Sequence, residues 1–532
     1  MTIVGAGPGG LATAMLMAAG GADVTVLERN ARVGGRSARL ELEARIGGRA
    51  CTFRFDTGPT FFLYPKPIVD VFSQCGFDFW REVDMVRIDP LYELRFLRPD
   101  GGSDPLRVWA DPERLASAVA AFSPRDARGL RRFMAENRGK LEAFDPVLTR
   151  SFDGVRDLAD PKVLGALRWL RPWSSLDRDL ARHFGDERLR LAFSFQSKYL
   201  GMSPYRCPSL FSILSFLEHE HGVWHPIGGC NAVMDAMARL ARSAGVRIET
   251  ASPVDEILFE GRRAVGVRVG ADLRRSDAVV VNAEFAQAMR TLVPDRLRRR
   301  WTDARIARKK FSCSTFMLYL GIEGEVDLEH HTIALAADYR RNLREIERGA
   351  APPRLPSMYV QNASRTDRSL APAGHSALYV LVPVGNLAGG VDWSVERERY
   401  RAHVVEGLAG LVGTTVHALE ARIRCERIVT PNDWADDLGV YRGATFSLAH
   451  SLDQMLCWRP HNRFEDLDGV YLVGGGTHPG SGLPVIFEGA RITARLLARD
   501  LGLHATRTER AGGARRGAAA GWRRSAVDAG TR

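Results

Sequence analysis

The chain has 532 residues, 45% of them apolar and 26% charged, which excludes collagen-like, coiled-coil and wholly disordered chains and suits about two to four globular domains. Its seven cysteines are odd in number and never spaced as CxxC, so a disulfide scaffold is excluded and reduced thiols in a reducing compartment are expected. The net charge of +11 includes +5 from the last 28 residues, and the 74 basic side chains comprise 68 Arg and six Lys; the excess reads as a compositional skew, and no nucleic-acid partner is expected.

A short apolar strand, Thr2–Val4, runs into Gly5-Ala6-Gly7-Pro8-Gly9-Gly10 and then an apolar helical pattern over 11–19, ended by Gly20-Gly21. A second strand over 23–27 closes on Glu28. This is a βαβ unit opening on GxGxxG: Gly5 permits the tight turn, Gly7 lets the backbone approach a pyrophosphate, and Gly10 lets helix and strand pack closely. Free N–H groups at the helix start receive phosphate charge, and Glu28 is placed to accept from a ribose hydroxyl. Only four residues precede Gly5, so the first strand reads as clipped, with the natural start expected upstream. No charged-then-apolar leader is visible, and no secretory signal is expected. Next, Arg32-Val33-Gly34-Gly35-Arg36 offers a second surface of backbone N–H groups with a guanidinium for phosphate.

A strand over 53–62 turns at Gly58-Pro59. From about 110 to 205 the pattern is mostly helical, followed by an apolar stretch at 209–217 and a helix over 231–244. Strands over 254–260, 264–269 and 278–282 return to the nucleotide domain. Residues 313–322, 357–362 and 376–384 read as strands of a second sheet, and 394–412 as a helix. A last strand over 470–473 leads into a glycine-rich loop, 474–482, and a helix over 486–501. The expected architecture is α/β: a Rossmann-like domain with a parallel sheet, discontinuous over 1–70, 222–294 and 464–503; a mainly helical insertion, 71–221, facing substrate and membrane; a substrate domain with an antiparallel or mixed sheet, 295–463; and a disordered basic tail, 504–532. No stretch reaches the ~18 uninterrupted apolar residues of a membrane span.

Three segments resemble the bacterial-type phytoene desaturases and their carotenoid-oxidising relatives, within the flavin amine-oxidase-like superfamily. They are residues 5–10 with Glu28 and 32–36; Phe55-Asp-Thr-Gly-Pro-Thr60; and Asp468-Gly-Val-Tyr-Leu-Val-Gly-Gly-Gly-Thr-His-Pro-Gly-Ser-Gly-Leu-Pro484. The resemblance spans about 1–503 and implies FAD, with no separate NAD(P) site. Implied contacts are Gly5, Ala6, Gly7, Pro8, Gly9, Gly10, Glu28, Arg29, Gly34, Gly35, Arg36, Gly58, Pro59, Thr60, Val254, Gly475, Gly476, Leu483, Pro484 and Val485. Two positions depart from the pattern. Gly475 stands where many such oxidases place an acid for the ribityl chain. After Pro484 the chain reads Val-Ile-Phe-Glu-Gly, closer to enzymes of thirty-carbon than of forty-carbon pathways.

The implied reaction is desaturation of a linear carotenoid precursor such as phytoene or 4,4'-diapophytoene, with hydride passing to flavin N5 and a neighbouring proton to a base. Glu488 and Glu218 are candidates for that base. The helix after Pro484 is expected to aim its N-terminal amides at charge developing near flavin N1 and C2. Aromatic and aliphatic stretches at 61–62, 193–195, 210–217 and 311–320 are candidate tunnel walls. Alternatives on the same fold are terminal-methyl oxidation, polyene isomerisation and, without catalysis, prenyl-lipid escort. No metal is expected: His219, His221 and His225 do not match HExxH, and His330-His331 reads as an exposed loop. The basic run at 296–310 reads either as a solvated helix face or as a contact for anionic lipid. The expected location is cytoplasmic, peripherally at the cytoplasmic membrane.

Overall fold

The computed structural model describes residues 1–171 and 173–503; the tail at 504–532, expected to be disordered, lies outside the described residues. Five strands form a parallel sheet in the order Arg247–Glu249, Thr25–Leu27, Thr2–Val4, Val279–Val281, Val470–Leu472. The inner strands are mostly apolar because both faces are covered, while the edge strand Arg247–Glu249 is partly exposed. Ile3, Val26, Val280 and Tyr471 point into a core shared with the helices Pro8–Ala19, Cys230–Ser243 and Leu483–Asp500. Their neighbours Val4, Leu27, Val279, Val281 and Leu472 point the other way. That side is covered by the antiparallel meander Glu256–Glu260, Arg263–Val269, Asp272–Arg275 and the helix Phe285–Leu292. One strand period of two thus serves two layers.

The second sheet has seven strands, in the order Ile423–Val429, Ser314–Ile322, Ser376–Val384, Met358–Asn362, His331–Leu335, Tyr92–Leu97, Ser103–Val108. All pairs are antiparallel except His331–Leu335 with Tyr92–Leu97, so the sheet is mixed. Its outer face packs on the helix Trp393–Val412 through Phe316, Val380, Tyr400 and Leu408.

The segment 71–221 is therefore more than a helical insertion. Tyr92–Leu97 and Ser103–Val108 extend the substrate sheet, and Met85–Arg87 pairs with Val223–Pro226. The rest is helical, built round Ala127–Leu148. Its core holds Lys140, wholly buried and 2.6 Å from the Asp179 carboxylate. His330-His331 is likewise not an exposed loop: His331 opens a strand with five buried residues, and His330 is buried beside it. The basic run at 296–310 is divided. The Arg298 guanidinium is buried, donates to the Trp301 carbonyl at 2.8 Å and pairs with Asp303, and Arg300 pairs with Glu465. Arg296, Arg299, Arg305, Arg308 and Lys310 remain exposed.

Candidate active site

A cavity of about 1020 Å3 lies between the two sheets, and its walls come from both ends of the chain. At one end the strand Thr2–Val4 delivers Gly5, with φ +101°, and the helix that follows begins at Pro8. A Cβ on Gly5 would fall 2.4 Å from the Asn282 carbonyl, one on Gly9 2.8 Å from Val473 Cγ2, and one on Gly10 2.2 Å from the Gly5 carbonyl oxygen. Glycine is required at each for a different close approach. Glu28 is buried; its carboxylate accepts from the amides of Ala6 at 2.8 Å and Asn30 at 2.9 Å, which fixes it at the cavity wall.

The second glycine pair folds onto the first. Gly34 N–H donates to the Ala6 carbonyl at 2.8 Å, and Arg36 donates to the Thr445 carbonyl. Burial pulls the Arg36 guanidinium below its ordinary range, while the Glu284 carboxylate opposes that shift. Gly58 lies so close to Arg36 that a Cβ would fall 2.3 Å from the Arg36 carbonyl oxygen. Tyr379 and Tyr319 donate from the substrate sheet to the carbonyls of Gly58 and Thr57 at 2.9 and 2.8 Å. The segment 57–60 is thereby fixed between the two sheets.

The glycine loop before the C-terminal helix is held by a residue that gave no sign in the sequence. Arg459 is wholly buried and donates to the carbonyls of Gly475 at 2.6 Å, Thr477 at 3.2 Å and Leu448 at 3.2 Å. Burial pushes its guanidinium down to about 9, consistent with carbonyl rather than carboxylate partners. His450 Nε2 accepts from the Ser481 amide at 2.9 Å. The helix Leu483–Asp500 then starts at the cavity wall, where the positive end of its dipole faces inward.

Of the residues expected at the cofactor, Gly5, Gly7, Pro8, Gly9, Glu28, Arg29, Gly35, Arg36, Gly58, Pro59, Thr60, Val254, Gly475, Leu483, Pro484 and Val485 line this cavity. Ala6, Gly10, Gly34 and Gly476 stand behind the wall, where they set the close packing of loop on strand. Asn282 and Glu284 also line it and were not anticipated. Asn282 Nδ2 donates to the Gly5 carbonyl at 3.0 Å. Glu284 also caps the helix Phe285–Leu292, accepting from the Gln287 amide at 2.9 Å. The glycine cradle, the fixed acid and the inward helix terminus fit a dinucleotide cofactor.

Beyond Thr60 the same cavity becomes apolar, lined by Phe61, Phe195, Tyr199, Leu210, Ile213 and Leu217 among others. Phe62 and Phe193 are core residues, and the stretch 311–320 contributes only Cys313 and Thr315 to the lining. Lys66, Asp70, Arg491, Arg495 and Glu488 add a charged group to the same lining. Glu488 is engaged by Arg491, which also lies 3.4 Å from Asp70.

Glu218 is not on the wall. It is wholly buried behind Tyr199, accepting from Tyr92 Oη at 3.0 Å and Gln196 Nε2 at 2.8 Å. Burial raises its carboxyl from 4.5 to about 7, against the pull of those donors. The folded chain therefore holds a proton that the unfolded chain releases above 4.5. That contribution is complete at pH below 4.5 and is lost as pH rises through 7. At 1.36 kcal/mol per unit the loss is about 3 kcal/mol. Glu218→Gln should remove this decline, making the variant more stable than the parent by about 2–3 kcal/mol at about pH 8 but not at about pH 4. Urea unfolding at the two pH values checks it.

The sequence profile of flavin-containing amine oxidoreductases matches residues 8–502, and the chain belongs to that family. Its cofactor is FAD, and it is an oxidoreductase. It is 42% identical to a 4,4'-diapophytoene desaturase (4,4'-diapolycopene-forming) of Methylomonas sp, over 93% of this chain and 94% of the relative. It is 39% identical to an all-trans-zeta-carotene desaturase of Myxococcus xanthus, over 94% and 93%. An oxidoreductase from Methanosarcina mazei shares the fold, with a TM-score of 0.59 at 18% identity, covering 92% of this chain and 98% of that one.

Proposed function

We propose that the protein desaturates a linear carotenoid precursor, with 4,4'-diapophytoene favoured over phytoene. The observation that carries this reading is the continuity of the cofactor cradle with an apolar passage beyond Thr60. A polyene has no polar handle, so its affinity must come from burial, at ~25 cal/mol per Å2 of apolar area. Bound FAD supplies the two-electron oxidant. The residues of the chain then have three tasks. Phe61, Phe195 and Tyr199 align the chain and exclude water. The start of the helix Leu483–Asp500 stabilises developing negative charge. A polar group near Thr60 takes up the proton. The desaturase relatives support the substrate class, and the thirty-carbon relative supports the preferred length.

Anaerobic flavin bleaching by diapophytoene, phytoene or a more unsaturated carotene in liposomes tests the reading. Bleaching with new visible bands and no oxygen incorporation is expected. Labelled oxygen at a chain end would replace it with terminal-methyl oxidation, geometric change without flavin redox with isomerisation, and failure of a folded sample to take up FAD with lipid escort.

We also propose peripheral attachment to a membrane, at the cytoplasmic face. Among the described residues no helix is long and apolar enough to cross one. The helical segment beyond Ala127–Leu148, whose own Leu141, Phe144 and Leu148 line the passage, exposes Val155, Leu164, Leu167 and Trp173. Trp173 is 75% exposed, a cost in water that interfacial burial would relieve. The five exposed basic residues at 296–310 add attraction to anionic lipid. Vesicle co-sedimentation should fall on Trp173→Ser and, with anionic vesicles, weaken as salt rises. Equal sedimentation of both proteins with all vesicles would remove the proposal.

A further inference from the structure

Desaturation removes one hydrogen as a proton, deep inside an apolar passage, and that proton must reach water. Three buried histidines from two distant segments lie behind the cavity wall. They form a cluster of titratable groups that the dinucleotide site does not use. Thr60 and Tyr359 both line the cavity. Thr60 Oγ1 is 2.8 Å from Tyr359 Oη, and Tyr359 Oη is 2.8 Å from His331 Nδ1. The His331 and His330 rings are 4.4 Å apart, centroid to centroid, and His330 and His225 are 4.8 Å apart. His331 Nε2 and His225 Nδ1 are buried with no partner among the described residues, so neither proton position is fixed by a bond. His330 in turn lines a second cavity, of about 140 Å3, with Asp89, Glu329, Arg87 and Arg365. The Asp89 and Arg365 side chains are 52% and 45% exposed there, so this cavity meets solvent.

We propose that Tyr359, His331 and His330, with Thr60 holding the Tyr359 hydroxyl in place, form a proton exit, carrying the proton lost by the polyene from the main cavity to the polar surface cavity at Glu329. This rests on the desaturase reading above. The C–H bond beside the developing allyl cation breaks, and its electron pair becomes the new C=C bond. The proton is taken by Tyr359 Oη while the hydroxyl's own proton passes to His331 Nδ1. His331 then sheds its Nε2 proton across the ring contact to His330 Nε2, displacing the Gln361 Nε2 donor 3.3 Å away, and His330 releases its Nδ1 proton to Thr366 Oγ1, 2.8 Å away on the wall of the second cavity. A neutral hydroxyl suffices as acceptor because a C–H beside a carbocation is strongly acidic. Burial, then the charge of neighbouring histidines, holds His331 and His330 well below the ordinary imidazole range; both rest neutral and do not trap the proton. Asp367, 3.2 Å from His225 Nε2, is the buried negative charge that offsets a passing positive one. Burial pushes its carboxyl up, but His225, Ser369 and the Gly228 amide outweigh this and hold it below the carboxylate range. Glu218, which also faces Tyr199 of the cavity wall, is the rival acceptor, but its partners Tyr92 and Gln196 are themselves buried.

The test uses the FAD-loaded protein in liposomes, with diapophytoene, under single-turnover conditions. Tyr359→Phe removes one oxygen and keeps the ring packed on Phe61 and Tyr379. It should slow bleaching at least tenfold, as should His331→Phe. The double variant should be no slower than either single one, because the groups act in series. FAD affinity, measured by titration, should be unchanged throughout. His330→Ala should slow proton appearance in a weakly buffered solution, and added imidazole, which can enter from the surface cavity, should restore it. Bleaching by Tyr359→Phe at the parent rate would overturn the proposal. So would additive losses, losses matched by weaker FAD binding, or no rescue by imidazole. Failure of the parent protein to bleach with any polyene would instead remove the desaturase reading, and the exit with it.

Discussion

Gly10→Val should abolish stable flavin uptake, with affinity falling at least roughly a hundredfold, about 2.7 kcal/mol. Even the first carbon of the new side chain would sit 2.2 Å from the Gly5 carbonyl oxygen and 2.7 Å from Asn282 Nδ2. Both neighbours are fixed. Gly5 N–H donates to Leu27 across the sheet, and its carbonyl accepts from Asn282. The helix Pro8–Ala19 would therefore have to move off the strand, taking with it the first-turn amides that would receive the pyrophosphate of bound FAD. Overpacking of this kind costs about 1–3 kcal/mol in stability, which a chain of this size can survive, so folding and flavin uptake should separate. Gly410→Ala is the control: it lies in the helix Trp393–Val412, and a Cβ there meets nothing within 4 Å. Flavin titration with circular dichroism on the same samples reads both. A Gly10→Val protein that retains parent-like FAD affinity would contradict the packing role.

Val485→Asp should slow flavin reduction by substrate far more than it weakens oxidised FAD. Val485 lines the cavity in the first turn of the C-terminal helix. There a carboxylate suits the helix dipole, by about 0.3–1 kcal/mol, so folding should not suffer. On the proposed reading it would, however, face the place where negative charge grows on the bound flavin. Repulsion that appears only with that charge acts on the rate and not on the ground state. Each ~1.4 kcal/mol costs about tenfold, so a loss of ten- to a hundredfold is expected for a partly screened charge. Val485→Asn, similar in size and uncharged, should recover most of the rate. Stopped-flow bleaching gives the rate, and equilibrium titration gives the affinity. Equal losses in both would mean that the helix start does not face the developing charge.

The dinucleotide half of the molecule was legible because its constraints are local. A strand, a turn that only glycine can make, a helix and an acid follow one another within 28 residues, and each choice can be read from its neighbours. The strands Ser314–Ile322 and Ser376–Val384 were legible for a different reason, as long β-branched and aromatic runs. What stayed hidden depends on partners distant in sequence. Arg459 looks like any arginine until residues 448, 475 and 477 bring their carbonyls to it. Tyr92–Leu97 alternates apolar and polar residues in Tyr92, Leu94 and Phe96 against Glu93 and Arg95, but it was absorbed into a region that reads as helical. His331–Leu335 has buried residues on both faces, so no alternation marks it, and two adjacent histidines suggested a polar loop. Their placement follows from the aromatic and hydroxyl partners at Phe61 and Tyr359, which no short window contains.

The strand Val279–Val281 pairs on one side with Thr2–Val4 and on the other with Val470–Leu472. A ribosome adding about 5–20 residues per second makes the inner partner long before the outer one. For roughly 10–40 s the nascent sheet presents three consecutive valines along an unpaired edge, a ready template for another chain. The helix Leu483–Asp500, which covers the same layer, arrives later still. A chain that folds as it is made therefore has to keep that valine edge shielded until the last strand is translated.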